Sequence, residues 1–287
     1  MANSWRATGD ITDSFDEPDV RCPCTGDEGY DCALPGFHCS VMNILNKVSA
    51  FPSKAQPGAW NDLDMLEIGN GGMNDDEYKL HMTMWAATKS PLIMGTDIRV
   101  LSASSLSIYT NPAILAISQD PAGSSIVRRW RFYVNDTDQY GQGEISMWSG
   151  NLAQNDMIVV LLNAGNQSRT MNATLADIFV DNGGAKSTQA QLTYDMYDLW
   201  ANRMPNATAS EIIETNSTNA ANVTSYYFNA TQTTYKDAIM ANNSLLMGTN
   251  VGSVAPLGTI QAEVPRHGVM AYRLRPRAST LTKRDEL

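Results

Sequence analysis

The pattern of the chain changes once, near residue 120, and that change restricts the fold more than any other feature. Before it, short apolar stretches alternate with helical ones. Residues 5–11, 59–68 and 91–95 read as strands. Residues 37–51, with Val41, Ile44, Leu45 and Val48 at helical spacing, read as a helix. So do residues 75–89, with Asp75 and Asp76 at the end where carboxylates suit the helix dipole, while 101–119 holds one or two more helices. Strand-helix-strand order predicts parallel β/α units. After residue 126 the segments are short, rich in β-formers and separated by Asn, Gly and Thr: 126–134, 144–148, 157–163, 191–197 and 268–274. That pattern predicts an antiparallel sandwich. The Asp120-Pro121-Ala122-Gly123 linker divides the chain into 1–121 and 122–277, with 278–287 as a tail. Residues 205–234, poor in core formers, read as a loop.

Composition supports a folded chain and excludes some partners. Hydrophobic residues make up 43% and charged ones 17%, enough for a sizeable core. The net charge of −10 would repel phosphate backbones and anionic lipid surfaces, so neither nucleic acid nor membrane is expected as a partner. The longest purely apolar run, Met157 to Leu162, is far shorter than the ~18 residues a membrane span requires.

Two features point to the secretory pathway. Eight Asn-x-Ser/Thr acceptor sites occur at Asn135, Asn166, Asn172, Asn206, Asn216, Asn222, Asn229 and Asn242. Cys22, Cys24, Cys32 and Cys39 crowd one Gly/Pro/Asp-rich loop, and an even number so placed reads as two local disulfides. Four cysteines allow three pairings, and the spacing is not that of a zinc site, so no metal is expected. The N-terminus has no apolar signal region, and the expectation is that the natural beginning is missing. The chain ends Arg284-Asp285-Glu286-Leu287, close to the endoplasmic-reticulum retrieval address.

The chemistry-bearing residues gather in three clusters at strand ends in the first part. These are Trp5-Arg6-Ala7-Thr8-Gly9-Asp10, then Trp60-Asn61-Asp62-Leu63-Asp64-Met65-Leu66, then Ser90-Pro91-Leu92 with Asp97 beyond it. A β/α barrel collects its active groups at the C-terminal ends of its strands. Indoles can stack on a sugar ring while Arg and Asp hydrogen-bond its hydroxyls. Asp97 is equally suited to capping a helix.

In order and wording these clusters resemble the melibiase-type α-galactosidases, retaining glycoside hydrolases that include α-N-acetylgalactosaminidases. The match extends to Pro265-Arg266-His267-Gly268 in the last strand of the family's terminal sandwich. The resemblance covers essentially the whole chain. It implies a partial (β/α)8 TIM barrel, its last three β/α units, followed by an antiparallel β-sandwich. Asp10 aligns with the family's general acid/base and Arg6 with a substrate-binding arginine. Asp64 and Met65 align with the galactose pocket, and Trp60 joins them as a substrate-side or supporting residue. Leu63 stands where the family usually has Pro, leaving the Asp spacing intact. The implied substrate is a terminal α-galactoside. The implied reaction is double displacement with two carboxyls ~5–5.5 Å apart.

The family's nucleophile belongs to a Lys-Tyr-Asp segment at an earlier barrel strand, and these 287 residues contain no such segment. The expectation is therefore a chain that hydrolyses little alone and pairs with the missing N-terminal half of the barrel. The alternatives are a non-catalytic carbohydrate- or protein-binding fragment and a degenerate relative held in the secretory pathway. No cofactor is implied. His38, His81 and His267 are scattered and read as packing or surface residues; Met82, Met84 and Trp85 read as core or helical shell. The Gly69-Asn70-Gly71-Gly72 run lacks any phosphate-binding pattern and reads as a turn.

Overall fold

The computed structural model describes residues 2–17, 39–216 and 223–277. The first part is built on two short parallel strands, β1 (Ser4–Arg6) and β2 (Trp60–Asp62), with Arg6 beside Asp62. Helix α1 (Val41–Val48) follows β1, its Ser40 cap accepting from the Asn43 amide while the Asn43 side chain accepts from the Ser40 amide. Val41, Ile44, Leu45 and Val48 are all buried, as their spacing predicts.

Helix α2 (Asp75–Thr88) follows β2. Asn74 and Glu77 form a reciprocal capping box at its start, and Lys89 ends it in the left-handed region at φ 65°. Met82, Met84 and Trp85 are buried along with most of the helix. A helix covered on nearly every side needs partners on two faces, and α2 has them: α3 (Ala103–Tyr109) and α4 (Pro112–Ser118) on one side, the sandwich on the other.

The expected strand at 91–95 is not a regular one. Its backbone touches the β2 segment only around Leu66, whose N–H donates to Ile93 and whose carbonyl accepts from Gly95. Asp64, at φ 79°, turns the chain out of the strand before Leu66 is reached, which shortens the ladder on both sides.

The sandwich has a six-stranded antiparallel sheet in the order β3-β4-β5-β10-β7-β8 and a two-stranded sheet, β6-β9. Its strands are β3 (Val127–Tyr133), β4 (Glu144–Asn151), β5 (Met157–Asn163), β6 (Arg169–Thr174), β7 (Tyr194–Asp198), β8 (Thr249–Val254), β9 (Thr259–Val264) and β10 (Gly268–Pro276). Among the described residues four short α-helices lie between them: α5 (Leu175–Ile178), α6 (Asn206–Thr215), α7 (Tyr235–Met240) and α8 (Ser244–Met247). Helix α6 corrects the reading of 205–234 as loop. It buries only Ala209, so its sequence carries almost no apolar stripe to announce it.

Strand β5 explains how the two parts join. All seven of its residues are buried. Met157, Val159 and Leu161 face the core inside the sandwich, whereas Ile158, Val160 and Leu162 share a second core with α1, α2 and α4. Strand alternation thus supplies both cores from one segment. Polar contacts cross the same boundary: Trp200 Nε1 donates to Thr83 Oγ1 at 2.9 Å, Asn111 Nδ2 to the Leu199 carbonyl at 3.1 Å, and the Ile126 N–H to the Ala87 carbonyl at 3.1 Å.

Candidate active site

Parallel pairing of β1 with β2 puts two of the predicted clusters side by side at the strand ends. Arg6 is the hub. Its Nη2 lies 2.6 Å from Asp64 Oδ2 and 3.2 Å from Asp10 Oδ1, and it also donates to the Gly9 carbonyl at 2.9 Å. The guanidinium therefore ties the turn carrying Asp10 to the loop after β2.

The three charged groups are not equivalent. The Asp10 side chain is 71% exposed and faces solvent, whereas that of Asp64 is 9% exposed. The Asp64 carboxylate is ion-paired with Arg6 and accepts from the Ile11 N–H at 2.8 Å and from the Met65 N–H at 2.8 Å. Its backbone is held as firmly: the Asp64 N–H donates to Asp62 Oδ1 at 2.9 Å, and Trp85 Nε1 donates to the Asp64 carbonyl at 2.8 Å. These contacts offset the strain of a positive φ on a residue with a side chain. Two backbone donors and the Arg6 guanidinium already engage Asp64, so its geometry is that of a group that orients Arg6 and the backbone after Asp10. Met65, next in sequence, is 43% exposed on the same loop.

Trp60 lies apart from the other predicted site residues. It sits at the start of β2, opposite Ser4, two residues before the end that Arg6 and Asp62 share. Its indole packs near Gly123, whose own hypothetical Cβ would lie 2.7 Å from Pro57 Cγ and 3.5 Å from the Trp60 ring. It lines a cavity with Lys89, Asp120 and Pro121 that holds none of Arg6, Asp10, Asp64 or Met65. A strand spans its own length, so the first and last residues of one cluster end up at different ends of it. Asp97 takes the capping role, accepting from the Arg99 N–H at 3.0 Å.

Sequence reasoning missed the groups that support the Asp10 turn from below. Asp13, in no motif, accepts from the Tyr78 hydroxyl and from the Gly72 N–H, so the loop leaving Asp10 is pinned to the loop leaving β2. Burial pushes the Asp13 carboxyl above its ordinary range, while those hydrogen bonds pull it back. A Cβ on Gly72 would fall 1.9 Å from the Asp13 carbonyl oxygen, so only glycine allows that approach. The one local signal was the Gly-rich run itself. Trp85, read as core, is also the donor to Asp64.

His81 and His267 are both buried, in keeping with packing roles. His81 Nε2 accepts from the Glu67 N–H, and complete burial lowers its pKa to about 3, so the ring is neutral. Cys39 is disulfide-bonded, and the Ile11–Cys39 bridge brings it beside the Asp10 turn. Cys22, Cys24, Cys32, His38, Asn222 and the tail 278–287 lie outside the described residues. The other seven acceptor asparagines are all exposed. Among the described residues no group of His, Cys, Asp or Glu is arranged to hold a metal, and no helix is long and apolar enough to cross a membrane.

Comparison with known proteins points to one family. Residues 29–120 match the family model described as alpha galactosidase A, and 142–226 match that of the alpha galactosidase C-terminal beta sandwich domain. The chain is 53% identical over 279 residues to alpha-galactosidase 5 of Saccharomyces cerevisiae, covering 97% of this chain and 58% of the relative. It is 51% identical to the alpha-galactosidase of Lachancea cidri, with 96% and 58% covered. Among solved structures it superposes on the S. cerevisiae alpha-galactosidase with a TM-score of 0.90 at 51% identity, covering 96% of this chain and 60% of that one. On alpha-galactosidase I of Mortierella vinacea the TM-score is 0.70 at 36% identity, with 95% and 53% covered. The chain thus spans a little under three fifths of the length of the curated relatives it matches. With both family models matched in order, and a partial (β/α)8 barrel joined to an antiparallel sandwich, the chain belongs to the melibiase-type α-galactosidase family.

Proposed function

We propose that the chain carries the acid/base side of an α-galactosidase active site and acts on terminal α-linked galactose by retaining double displacement. The observation that carries this reading is Arg6, which bridges exposed Asp10 and buried Asp64 at the ends of neighbouring parallel strands. Asp10 would protonate the departing glycosidic oxygen and then activate water. Arg6 and Met65 would contact the sugar, with Asp64 orienting Arg6. A related S. cerevisiae α-galactosidase structure, solved with raffinose, lends support to an α-galactoside as substrate.

The nucleophile of this mechanism would come from a segment outside these 287 residues, the N-terminal half of the barrel. A lone acid without its nucleophile loses most of the rate enhancement when the two act as a unit. The partly exposed apolar side chains Trp5, Ile93 and Met94 on β1 and the 91–95 segment are available for such a segment to cover. A secretory location fits the disulfide at Cys39 and the exposed acceptor asparagines.

The deciding measurement is release of p-nitrophenol from a p-nitrophenyl α-galactoside. The purified chain should show little turnover. Adding the N-terminal barrel half of an α-galactosidase should restore it, and Asp10→Asn should abolish the restored activity. Turnover that survives Asp10→Asn would overturn the assignment of the acid/base.

A further inference from the structure

One end of the sandwich, where the turn from β4 to β5 meets the connection from α5 to β7 and the end of β10, holds a cavity of about 610 Å³. It contains none of Arg6, Asp10, Asp64 or Met65. Phe179 and Tyr194, stacked at 5.8 Å, back it, and half-buried Leu192 and Pro276 present apolar surface to it. Its size suits a ligand of one or two sugar rings.

The polar groups of its wall are neutral where they meet solvent. Asn151, Asn155 and Asn182 line the cavity, all three are exposed, and their side-chain amides have no partner among the described residues. None stands in an Asn-x-Ser/Thr tripeptide, so none is an acceptor for a glycan of the chain itself. Asp156 also lines the wall, but it is fully buried and turned inward, accepting from Arg273 at 3.0 Å and from Arg275 at 2.6 Å. Among the described residues of the wall, none that is exposed carries a charge. The rim is held in a shape the chain does not adopt freely. Gln154 and Asn155 are consecutive non-glycine residues in the left-handed region, at φ 61° and 62°, a conformation that persists only where its surroundings enforce it. Here both ends of the Gln154 amide are clamped: Nε2 donates to the Met240 carbonyl at 2.8 Å, and Oε1 accepts from Arg275 at 2.8 Å. The clamp fixes the turn and leaves the neighbouring Asn155 amide on the rim, unengaged. Apolar surface beside neutral amides, each a donor and an acceptor, complements a sugar ring with its C–H faces and hydroxyl edges.

We propose that this cavity binds a neutral saccharide at a place separate from the proposed active site. Asn151, Asn155 and Asn182 bond its hydroxyls, and Leu192 and Pro276 face its C–H surface. The site is independent of the α-galactosidase reading and can stand without it.

Saturation-transfer NMR on the purified chain, with raffinose, cellobiose and anionic glucuronate as probes, tests the proposal. At least one of the two neutral sugars should receive saturation, and glucuronate should not. Asn155→Gly removes one amide and suits the left-handed backbone; Asn182→Ala removes another at an exposed position. The fold should therefore survive both changes, and a melting curve checks this. Together they should raise the dissociation constant about fivefold or more, the effect of one or two lost hydrogen bonds. Should the melting curve fall, Thr188→Trp, which fills the cavity from an exposed position, takes their place and should abolish the signal. Arg6→Gln should leave the signal unchanged, which separates this site from the proposed active site. The proposal is overturned by no transfer to either neutral sugar, or by transfer to glucuronate as strong as to them. It is overturned equally by binding that the asparagine pair or Thr188→Trp leaves intact, or that Arg6→Gln removes.

Discussion

Glu77 holds His267 across 190 positions of sequence, Oε1 to Nδ1 at 2.7 Å, while its other oxygen caps the helix on which it sits by accepting from the Asn74 N–H at 2.8 Å. One buried carboxylate thus fixes the start of α2 and the turn before β10 together. Glu77→Ala removes both contacts. It should lower stability by about 2–4 kcal/mol, the sum of a lost cap and a buried polar group left alone. The denaturant midpoint measures this; a change below the ~0.5 kcal/mol of ordinary surface substitutions would show the contact to be idle.

Asp64→Ala leaves the Ile11 and Met65 N–H groups and the Arg6 guanidinium without their shared acceptor. It also places a non-glycine residue at φ 79° with less to hold it there. The expected loss is about 2–4 kcal/mol in denaturant titration. Asp64→Asn keeps an acceptor oxygen and should lose less. Losses below ~0.5 kcal/mol in both variants would mean that the carboxylate's acceptor role is unimportant.

Gly72→Ala should be destabilising out of proportion to its size. The added methyl would meet the Asp13 carbonyl at 1.9 Å, so the loop leaving Asp10 must move. A cost of roughly 1–3 kcal/mol is expected. In the reassembled enzyme the same change should reduce kcat by at least about tenfold, because a displaced acid loses alignment. Unaltered melting and kcat would show that the two loops do not need this approach.

Asp16 makes stability depend on pH. Burial, then the neighbouring carboxylates Glu144 and Asp138, push its folded pKa to about 9, above the unfolded value of 3.8, so the folded state holds the proton more tightly. Its contribution is fully present below about pH 4 and is lost as pH rises toward 9. Asp16→Asn mimics the protonated acid. Its melting temperature should match the parent below about pH 4 and exceed it at pH 8. Parallel curves for the two proteins would rule out a titrating Asp16.

The division into β/α units and a sandwich, the seven residues of β5, the start of α2 and the Arg6–Asp10–Asp64 grouping could all be read from the chain, because each rests on periodicity, on capping chemistry or on motif wording. The rest needed coordinates. Strands β6 and β8 went unread because few apolar residues announce them: β6 buries only Met171 and Ala173, and β8 only Val254; β9 went unread although Ile260, Ala262 and Val264 alternate with exposed residues. Trp60 shares a motif with Asp64, but a strand separates its ends in space, and sequence proximity cannot say which end faces the chemistry. Asp13 with Tyr78 and Glu77 with His267 are pairings between distant segments. Local preference determines which segments become strands and helices; which side chains meet is decided by the packing of α2 between barrel and sandwich, where burial makes a cap, a latch or a shifted pKa out of residues that look ordinary in isolation.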